Sequence, residues 1–386
     1  MKFIDLAFQQ GRIRSKIEKN IQDVLDHGKY IMGPEIQELE HRLAEFVGAK
    51  HAISCASGTD ALLLALMAEN VGPGDAVFTT PFTFIATAEV ISLLGATPVF
   101  VDIDPGTFNI DPSRLELAIQ AVTTNNAAIY PIPSPGSSLM PKGIIAVDIF
   151  GLPADYEAIC PIARKHDLFV IEDAAQSFGA EYNGIKACSL ADIGCTSFFP
   201  AKPFGGYGDG GMCFTDNNSL AEKIRSLRVH GQGDHKYENV RIGINGRLDT
   251  IQAAILLAKF DIFPEEIELR ENVANRYTTL LNPFSNLQTP FIPQRMKSAW
   301  AQYSILAKNE NRRSALQGKL DDAGIPTAIY YPKPLHLQTA FSTLGYNEGD
   351  FPVSEECSKR IFSLPMHPYL TLEEQEKIIK ILGKMQ

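Results

Sequence analysis

Hydrophobic and polar positions follow two different periods along the first two thirds of the chain. Short runs rich in β-branched and aromatic residues, such as DAVFTT and TPVFVDID, are separated by segments with apolar residues at helical spacing. In residues 35–46, for example, Ile36, Leu39, Leu43 and Phe46 would share one face of a helix. This alternation is typical of an α/β domain in which helices flank a mostly parallel sheet.

The same pattern predicts particular elements. Further strands are expected in HAISCAS, GIIAVDIFG, LFVIEDAAQS, DIGCTSFFP and GGMCFTD, and helices in GTDALLLALMAENV, TFIATAEVISLLG and DYEAICPIARKHD. Residues 123–143 break the alternation, because they contain four prolines and several Ser, Asn and Gly residues. This segment is predicted to be a loop with a short strand at 127–130 and a local elaboration at 131–141.

A second, smaller domain is predicted after residue 260. A long helical pattern runs over 248–281 and is interrupted at Pro264. Strand patterns follow in SAWAQYSILA and PTAIYY, and a helical pattern in TLEEQEKIIKILGKM closes the chain. We therefore expect a large α/β domain over 1–260 and a small α+β domain over 261–386.

Charge and composition exclude several classes of protein. The 386 residues carry a formal net charge of −10, which argues against a general partner of nucleic acid or of a membrane surface. No apolar run approaches the roughly 20 residues of a membrane span, and the N-terminus lacks the apolar core of a signal peptide, so we expect a cytoplasmic protein. Six cysteines without CxxC spacing favour reduced core thiols, and the absence of HxxxH or HxH spacing argues against a metal site.

One lysine stands in an unusual local setting. In TSFFPAKPFGGYGDGG, Lys202 lies between Pro200 and Pro203 and just before a run of glycines. Prolines fix the backbone, and glycines permit close approach and positive φ, so this pattern suits an amine held at a defined point. The alternative interpretation is a tight loop that contains a lysine by chance.

The stretch CASGTDAL joins a predicted strand to a predicted helix through Ser57, Gly58 and Thr59. Unpaired N–H groups at a helix start favour a phosphate group, and the two hydroxyls would add donors. An ordinary helix N-cap explains the same residues equally well.

Carboxylates end a strongly apolar strand in LFVIEDAAQSFG. Glu172 and Asp173 fall at its carboxyl end, where open parallel sheets bind ligands, and Gln176 would lie on the same side of the turn. A buried carboxylate there needs a cation, although capping of a following helix is an alternative role. Together with Lys202 and the phosphate turn, Asp173 completes the set of groups that binds pyridoxal phosphate, and Phe84 in PFTFIATAE could stack on its ring or belong to the core.

Other motifs carry less information. Gly206, Gly208 and Gly211 spell GxGxxG, but the strand-like MCFTD follows them where a dinucleotide fingerprint requires a helix. No GxSxG nucleophile elbow is present. A nicotinamide oxidoreductase is therefore disfavoured.

The motifs SGTDAL, PFTFIATAE, GATPVFVDID, VIEDAAQSFGA, TSFFPAKPFGGYGDGG and GINGRLDTIQAAIL resemble the DegT/DnrJ/EryC1/StrS family of sugar aminotransferases. The resemblance extends over nearly the whole chain and implies the fold of aspartate aminotransferase, that of the fold type I enzymes of pyridoxal phosphate. It further implies a homodimer with shared active sites. By the same resemblance Lys202 forms the Schiff base with the cofactor and Asp173 pairs with the pyridine nitrogen. The other cofactor-binding residues that it implies are Gln176 and Phe84 at the ring, Ser57, Gly58, Thr59 and Ser197 at the phosphate, and Asn245 reaching the phosphate from the neighbouring subunit.

Within that family, FIDLAFQQGRI, GKYIMGPEI, RLDTIQAAIL and SLPMHPYL are similar to transaminases that aminate a UDP-linked 3-keto sugar for lipopolysaccharide or surface polysaccharide. Arg247 would then face the sugar nucleotide or a carboxylate, and Tyr330 and Tyr331 would contact the substrate. Relatives often have histidine at the first position of that pair, so Tyr330 is a departure that leaves the sugar substituent open.

The resemblance implies transamination with an amino acid donor, for which glutamate is expected. The alternatives are a 4-keto sugar as acceptor, a sugar dehydratase of the same fold, and a non-catalytic sugar-nucleotide binding protein. Dehydratase relatives typically carry histidine at the lysine position, whereas this chain has Lys202. A non-catalytic protein would need neither Lys202 nor Asp173.

Overall fold

A computed structural model describes residues 1–133, 138–235 and 237–383. The helices are α1 (Leu6–His27), α2 (Pro34–Val47), α3 (Gly58–Ala68), α4 (Ala86–Leu93), α5 (Pro112–Thr124), α6 (Tyr156–Lys165), α7 (Asn218–Leu227), α8 (Thr250–Phe260), α9 (Phe263–Leu281), α10 (Glu310–Asp322), α11 (Pro352–Arg360) and α12 (Leu372–Gly383). The strands are β1 (His51–Cys55), β2 (Asp75–Thr79), β3 (Thr97–Phe100), β4 (Met140–Val147), β5 (Phe169–Asp173), β6 (Glu181–Tyr182), β7 (Ile185–Lys186), β8 (Ile193–Ser197), β9 (Gly211–Thr215), β10 (Leu287–Gln288), β11 (Met296–Lys297), β12 (Tyr303–Ala307) and β13 (Ile361–Leu364). Short 3₁₀ helices cover Ile149–Gly151, Leu335–Leu337 and Thr339–Leu344.

A seven-stranded sheet with the order β1-β9-β8-β5-β4-β2-β3 forms the centre of the N-terminal part. All neighbouring pairs from β8 to β3 are parallel, whereas β9 runs antiparallel to both β1 and β8. Consecutive side chains of β4 point to opposite faces: Ile144 packs with α5 and α6, while Ile145 packs with α3 and α7. The predicted α/β architecture is therefore confirmed, as are the predicted strands that form this sheet.

The strand register brings several predicted site residues to one edge of this sheet. Asp173 at the end of β5 lies opposite Cys195 of β8, and Ser197 at the end of β8 lies opposite Gly211 of β9. Gly211 in turn lies opposite Cys55, the last residue of β1 before the turn into α3. The end of β5, the end of β8 and the start of α3 are thus neighbours.

The C-terminal part forms its own core and also packs back on the central sheet. The sheet β10-β12-β13 packs with α9, α10 and α12 around Tyr277 and Tyr303. Phe341 and Phe351, by contrast, lie in the same hydrophobic cluster as Ile144. The predicted domain boundary at 260/261 remains a prediction, since this packing joins the two parts.

The Asp102 carboxylate, just after β3, also joins the two parts. It is buried and accepts hydrogen bonds from the backbone N–H groups of Val353 and Ser354 at 3.0 and 2.9 Å, which lie at the start of α11. A carboxylate at a helix N-terminus is favoured by the helix dipole. Residues 328–351, which carry the predicted substrate tyrosines, are therefore held near the edge of the central sheet.

Two predicted strands are wrong. Residues 127–130 form a turn, because the side chain of Asn126 accepts a hydrogen bond from the N–H of Ala128 at 3.0 Å and favours local closure. In PTAIYY, only Ala328 forms a bridge, to Ser363. Residues 134–137 of the proline-rich segment lie outside the described residues.

The long helical pattern is confirmed as α8 and α9, with Pro264 in the first turn of α9. Over the described ranges, none of the helices is long and apolar enough to cross a bilayer. The six cysteines are free thiols, and all but Cys160 are buried.

Candidate active site

The loop after β8 holds Lys202 through backbone hydrogen bonds. Phe198 donates its N–H to the Gly210 carbonyl and accepts from the N–H of Gly206, both at 2.7 Å, so the loop closes on itself. The Lys202 N–H donates to the Phe199 carbonyl at 2.9 Å. Backbone hydrogen bonds therefore hold Lys202 at a defined position, as predicted.

The glycines of this loop provide space, not unusual dihedral angles. A Cβ atom at Gly205 would lie 2.4 Å from the Phe199 carbonyl oxygen, and one at Gly211 would lie 2.3 Å from the Ser57 carbonyl oxygen. Neither glycine has a positive φ, and the same holds for Gly206, Gly208 and Gly210. Close approach was predicted correctly, whereas the expected positive φ is wrong. Because the run leads into strand β9, the dinucleotide fingerprint is not formed.

Lys202, which is partly exposed, and the buried Asp173 form an interacting pair of opposite charge. Burial lowers the pKa of the Lys202 amine, and the Asp173 carboxylate raises it in part. Burial likewise raises the pKa of Asp173, and hydrogen bonds together with the charge of Lys202 lower it in part. The structure thus brings together the two residues that the sequence singled out, in a setting where each charge stabilises the other.

Two donors hold the Asp173 carboxylate. The Thr87 hydroxyl donates to Oδ2 at 2.7 Å, and the Ala175 N–H donates to Oδ1 at 3.2 Å. The sequence analysis missed Thr87, although it lies in the stretch PFTFIATAE that contains Phe84. Threonine in a helix gives no local sign of a partner 86 residues away.

The turn from β1 into α3 lies directly against the end of β8. A Cβ atom at Gly58 would lie 2.6 Å from Cβ of Ser197, so only glycine fits between them. The Ser57 side chain caps α3 by accepting from the Asp60 N–H at 3.0 Å. The N–H groups of Gly58 and Thr59, at the first two helical positions, have no intrahelical acceptor. The predicted phosphate turn and Ser197 are therefore adjacent.

Gln176, Tyr331 and Phe84 lie next to one another beside Asp173. Gln176 donates from Nε2 to the Tyr331 hydroxyl at 3.3 Å and accepts from the Phe150 N–H at 2.8 Å. Phe84 and Tyr331 have ring centroids 6.5 Å apart, and Phe84 is 54% exposed. Burial raises the pKa of Tyr331, as does the charge of Asp173. The alternative that Phe84 is a core residue is wrong, whereas Phe82 is fully buried.

The remaining predicted residues are Tyr330, Asn245 and Arg247. The Tyr330 ring lies 5.8 Å from that of Tyr331. Asn245 is exposed, and Arg247 is partly buried with an Nε atom that lacks a hydrogen-bond partner. Between them, the Gly246 carbonyl accepts from the Ala56 N–H at 3.0 Å, so this segment runs beside the turn into α3. Their roles remain predictions.

Behind Asp173 lies a second pair of buried carboxyl groups, Asp148 and Glu172. Asp148 accepts from the hydroxyls of Ser177 at 2.7 Å and Tyr156 at 2.8 Å. Glu172 accepts from the N–H groups of Cys188 at 2.6 Å and Leu190 at 3.0 Å. Burial raises the pKa of Asp148 to about 7, and burial and then the charge of Asp148 raise that of Glu172. These groups fix the loops around the site.

In the part of the chain that the structure describes, no group of three or more His, Cys, Asp or Glu residues could hold a metal.

Comparison with known proteins identifies the family. Residues 12–383 match the model of the DegT/DnrJ/EryC1/StrS aminotransferase family. The chain belongs to this family.

Several relatives of this family member are similar over nearly their whole length. One from Pseudomonas aeruginosa, named UDP-2-acetamido-2-deoxy-3-oxo-D-glucuronate aminotransferase, is 50% identical and covers 96% of each chain. A Geobacillus stearothermophilus relative named pleiotropic regulatory protein is 43% identical, over 99% of this chain and 97% of that one. A UDP-N-acetyl-3-dehydro-alpha-D-glucosamine 3-aminotransferase from Acidithiobacillus ferrooxidans is 39% identical, over 99% and 96%.

Solved structures agree with the fold. A DegT/DnrJ/EryC1/StrS aminotransferase from Brucella abortus superposes with a TM-score of 0.94 and 48% identity, covering 100% of this chain and 99% of the other. A Bacillus subtilis protein solved with bound cofactor PMP gives a TM-score of 0.86 at 29% identity, over 99% of this chain and 82% of the other. The predicted aspartate-aminotransferase-like fold is confirmed.

The Asp148→Asn variant is predicted to change how stability depends on pH. The native state raises the pKa of Asp148 from 3.8 to about 7, so its stabilising contribution is complete below pH 3.8 and is lost as the pH rises through about 7. An asparagine does not titrate. Urea unfolding between pH 4 and 7 should therefore show the stability of the variant rising relative to that of the wild type as the pH increases. Asp111→Asn, at the partly buried N-cap of α5, is the control, and parallel curves for Asp148→Asn and the wild type would contradict the assignment.

Proposed function

We propose that this protein is a pyridoxal-phosphate-dependent aminotransferase that transfers an amino group from an amino acid to a UDP-linked 3-keto sugar. The observation that carries this proposal is the interacting pair of Lys202 and the buried Asp173 at the sheet edge, beside the N-terminus of α3. The names of the Pseudomonas and Acidithiobacillus relatives support the sugar, and the Bacillus structure with bound PMP supports the cofactor.

The chemistry of the site fits this cofactor. Lys202 offers an amine of lowered pKa, and the described residues include no hydrogen-bond partner for its Nζ atom. Asp173 would hold the ring nitrogen, and the exposed ring of Phe84 would cover one face of the cofactor. Ser57, Gly58, Thr59 and Ser197 would hold the phosphate, since N–H groups at a helix start favour an anion.

When bound, pyridoxal phosphate supplies an electron-poor ring that accepts the electron pair left when a C–H bond of the amino acid breaks. Asp173, as a buried anion, would keep the ring nitrogen protonated and so maintain this property. Lys202, whose amine is less basic than that of an exposed lysine, would take the proton from Cα of the donor. In the second half-reaction Lys202 would return a proton to the carbon that bears the new amino group on the sugar.

The substrate side of the site is formed by Tyr331, Tyr330 and Arg247. The Tyr331 hydroxyl is fixed by Gln176 beside the Asp173 carboxylate, which would place it against the reacting end of a substrate. Arg247 has an unpaired buried Nε atom, so it can bind an anionic group of a sugar nucleotide. Glutamate as donor and a role in surface polysaccharide or lipopolysaccharide synthesis remain proposals from the resemblance.

Two other functions are less well supported. A dehydratase of this family would carry histidine in place of Lys202. The name of the Geobacillus relative suggests a regulatory protein. Such a protein has no need of a desolvated lysine beside a buried carboxylate, because both charges cost stability. The complete pair therefore favours catalysis.

A direct assay tests the proposed reaction. Purified protein with pyridoxal phosphate and glutamate should aminate a UDP-linked 3-keto sugar at C3, identified by NMR of the product, and should leave a 4-keto sugar unchanged. Lys202→Ala should lower the rate by about 10²-fold or more, since it removes the group that moves the proton. Lys223→Met, a partly buried lysine on α7, is the matched control. Amination at C4, or wild-type turnover by Lys202→Ala, would overturn the proposal.

We further propose a homodimer in which Asn245 acts in the partner's site. The segment that leads to Asn245 exposes large apolar side chains, with Ile242 89% and Val240 53% exposed, and Phe199 beside the site is 52% exposed. Burial of such large apolar side chains against a partner chain is favourable. Asn245 itself is exposed at the surface of its own chain.

Hybrid dimers distinguish the two placements of Asn245. If Asn245 acts on the partner's site, a Lys202→Ala subunit paired with an Asn245→Ala subunit has one intact site and about half the wild-type turnover per dimer. The control is a Lys202→Ala subunit paired with an Asp173→Ala subunit. This hybrid has no intact site, because both residues act within their own chain. Hybrids of Lys202→Ala and Asn245→Ala as inactive as this control would show that Asn245 acts within its own chain.

A further inference from the structure

The Thr87 hydroxyl makes a different kind of hydrogen bond from the hydroxyls of four other helical threonines. Thr123, Thr124, Thr278 and Thr279 donate to the carbonyl oxygen four residues earlier, at 2.8 to 3.0 Å. This is the ordinary local bond of a threonine in a helix. Thr87 on α4 donates instead to Oδ2 of Asp173 at 2.7 Å. Its hydroxyl therefore stabilises a residue of the candidate active site and not the helix backbone.

A second hydroxyl lies behind the first. Thr83 Oγ1 is 3.3 Å from Thr87 Oγ1, and both residues are buried. An ionised carboxylate can only accept, so the hydrogen of Thr87 must point to Asp173. Thr83 is then the donor to Thr87, and the order of donation is Thr83 to Thr87 to Asp173. Such a chain of hydroxyls strengthens its last hydrogen bond.

Few groups compensate the buried charge of Asp173. The titratable groups that interact with it are Lys202, Tyr331, Cys188 and Cys195. Of these only Lys202 can be a cation, and burial lowers its pKa. The neutral donors Thr87 and the Ala175 N–H must therefore supply much of what keeps the carboxylate ionised.

We propose that Thr87, supported by Thr83, is a positioning residue that holds the Asp173 carboxylate ionised and oriented for the ring nitrogen of the cofactor. This inference rests on the proposed function, because it concerns the same cofactor site. Phe84 lies on the same segment between the two threonines, so one stretch of chain carries both the ring that faces the cofactor and the hydroxyls that hold Asp173.

Binding of pyridoxamine phosphate, measured by calorimetry from pH 5 to 9, tests this role without any turnover. Thr87→Val keeps the shape of the side chain and removes the donor. It should weaken binding near neutral pH by about 10-fold or more, since a hydrogen bond to a charged group is lost. The loss of affinity on the acid side should also begin at higher pH, because the pKa of Asp173 rises when a donor is removed. The ligand's own titrations are identical for all variants.

Three further variants make the test specific. Thr87→Ser keeps a hydroxyl and should restore the wild-type curve, and Thr83→Val should give a smaller shift in the same direction. Asp173→Asn should bind pyridoxamine phosphate weakly, and its affinity should show no acid-side loss from titration of residue 173. A Thr87→Val curve that superposes on the wild type, or a uniform loss shared by Thr87→Ser, would overturn the role of Thr87 alone. A wild-type protein that binds no pyridoxamine phosphate would overturn the proposed function as well.

Discussion

The interaction between Lys202 and the buried Asp173 carboxylate is the electrostatic constraint on which the site depends. Burial opposes both charges, and each charge offsets part of that cost for the other. A lysine of lowered pKa is suited to bond covalently to an aldehyde and to move protons, while a fixed carboxylate is suited to hold a protonated ring nitrogen. The chemistry thus follows from bringing an amine and a buried carboxylate of opposite charge together.

The fold meets this constraint through the edge of the central sheet. The parallel strands β5 and β8 end side by side, so Asp173 and the start of the Lys202 loop are neighbours. The antiparallel strand β9 brings Gly211 between Ser197 and the turn into α3, where only residues without side chains fit. Asp173, Ser197 and Gly58 are therefore held by regular structure. The segment carrying Tyr331 is anchored from the other side by Asp102, through the start of α11.

Sequence reasoning predicted what local pattern determines. The strand and helix periods, the carboxylate at a strand end and the lysine between prolines are all features of a few consecutive residues. It failed where distant or competing contacts decide. The hydroxyl of Thr87 meets Asp173 across 86 residues, and Asn126 closes a turn where a strand was expected. The helix α1 was not predicted, since only Gln9, Ile13, Ile17 and Val24 of its residues are buried.

Reductive trapping tests the central pair most directly. Protein mixed with pyridoxal phosphate, reduced with borohydride and digested should yield the modified peptide at Lys202, as identified by mass spectrometry. Lys259 is the most informative alternative site of modification, because burial lowers the pKa of its amine to about 8. It lies on α8 beside Tyr207, outside the proposed cofactor site. We expect Lys202 to be modified in the wild type and to be modified much less in the Asp173→Asn variant. Modification of Lys259 or another lysine, with Lys202 untouched, would contradict the assignment of the site.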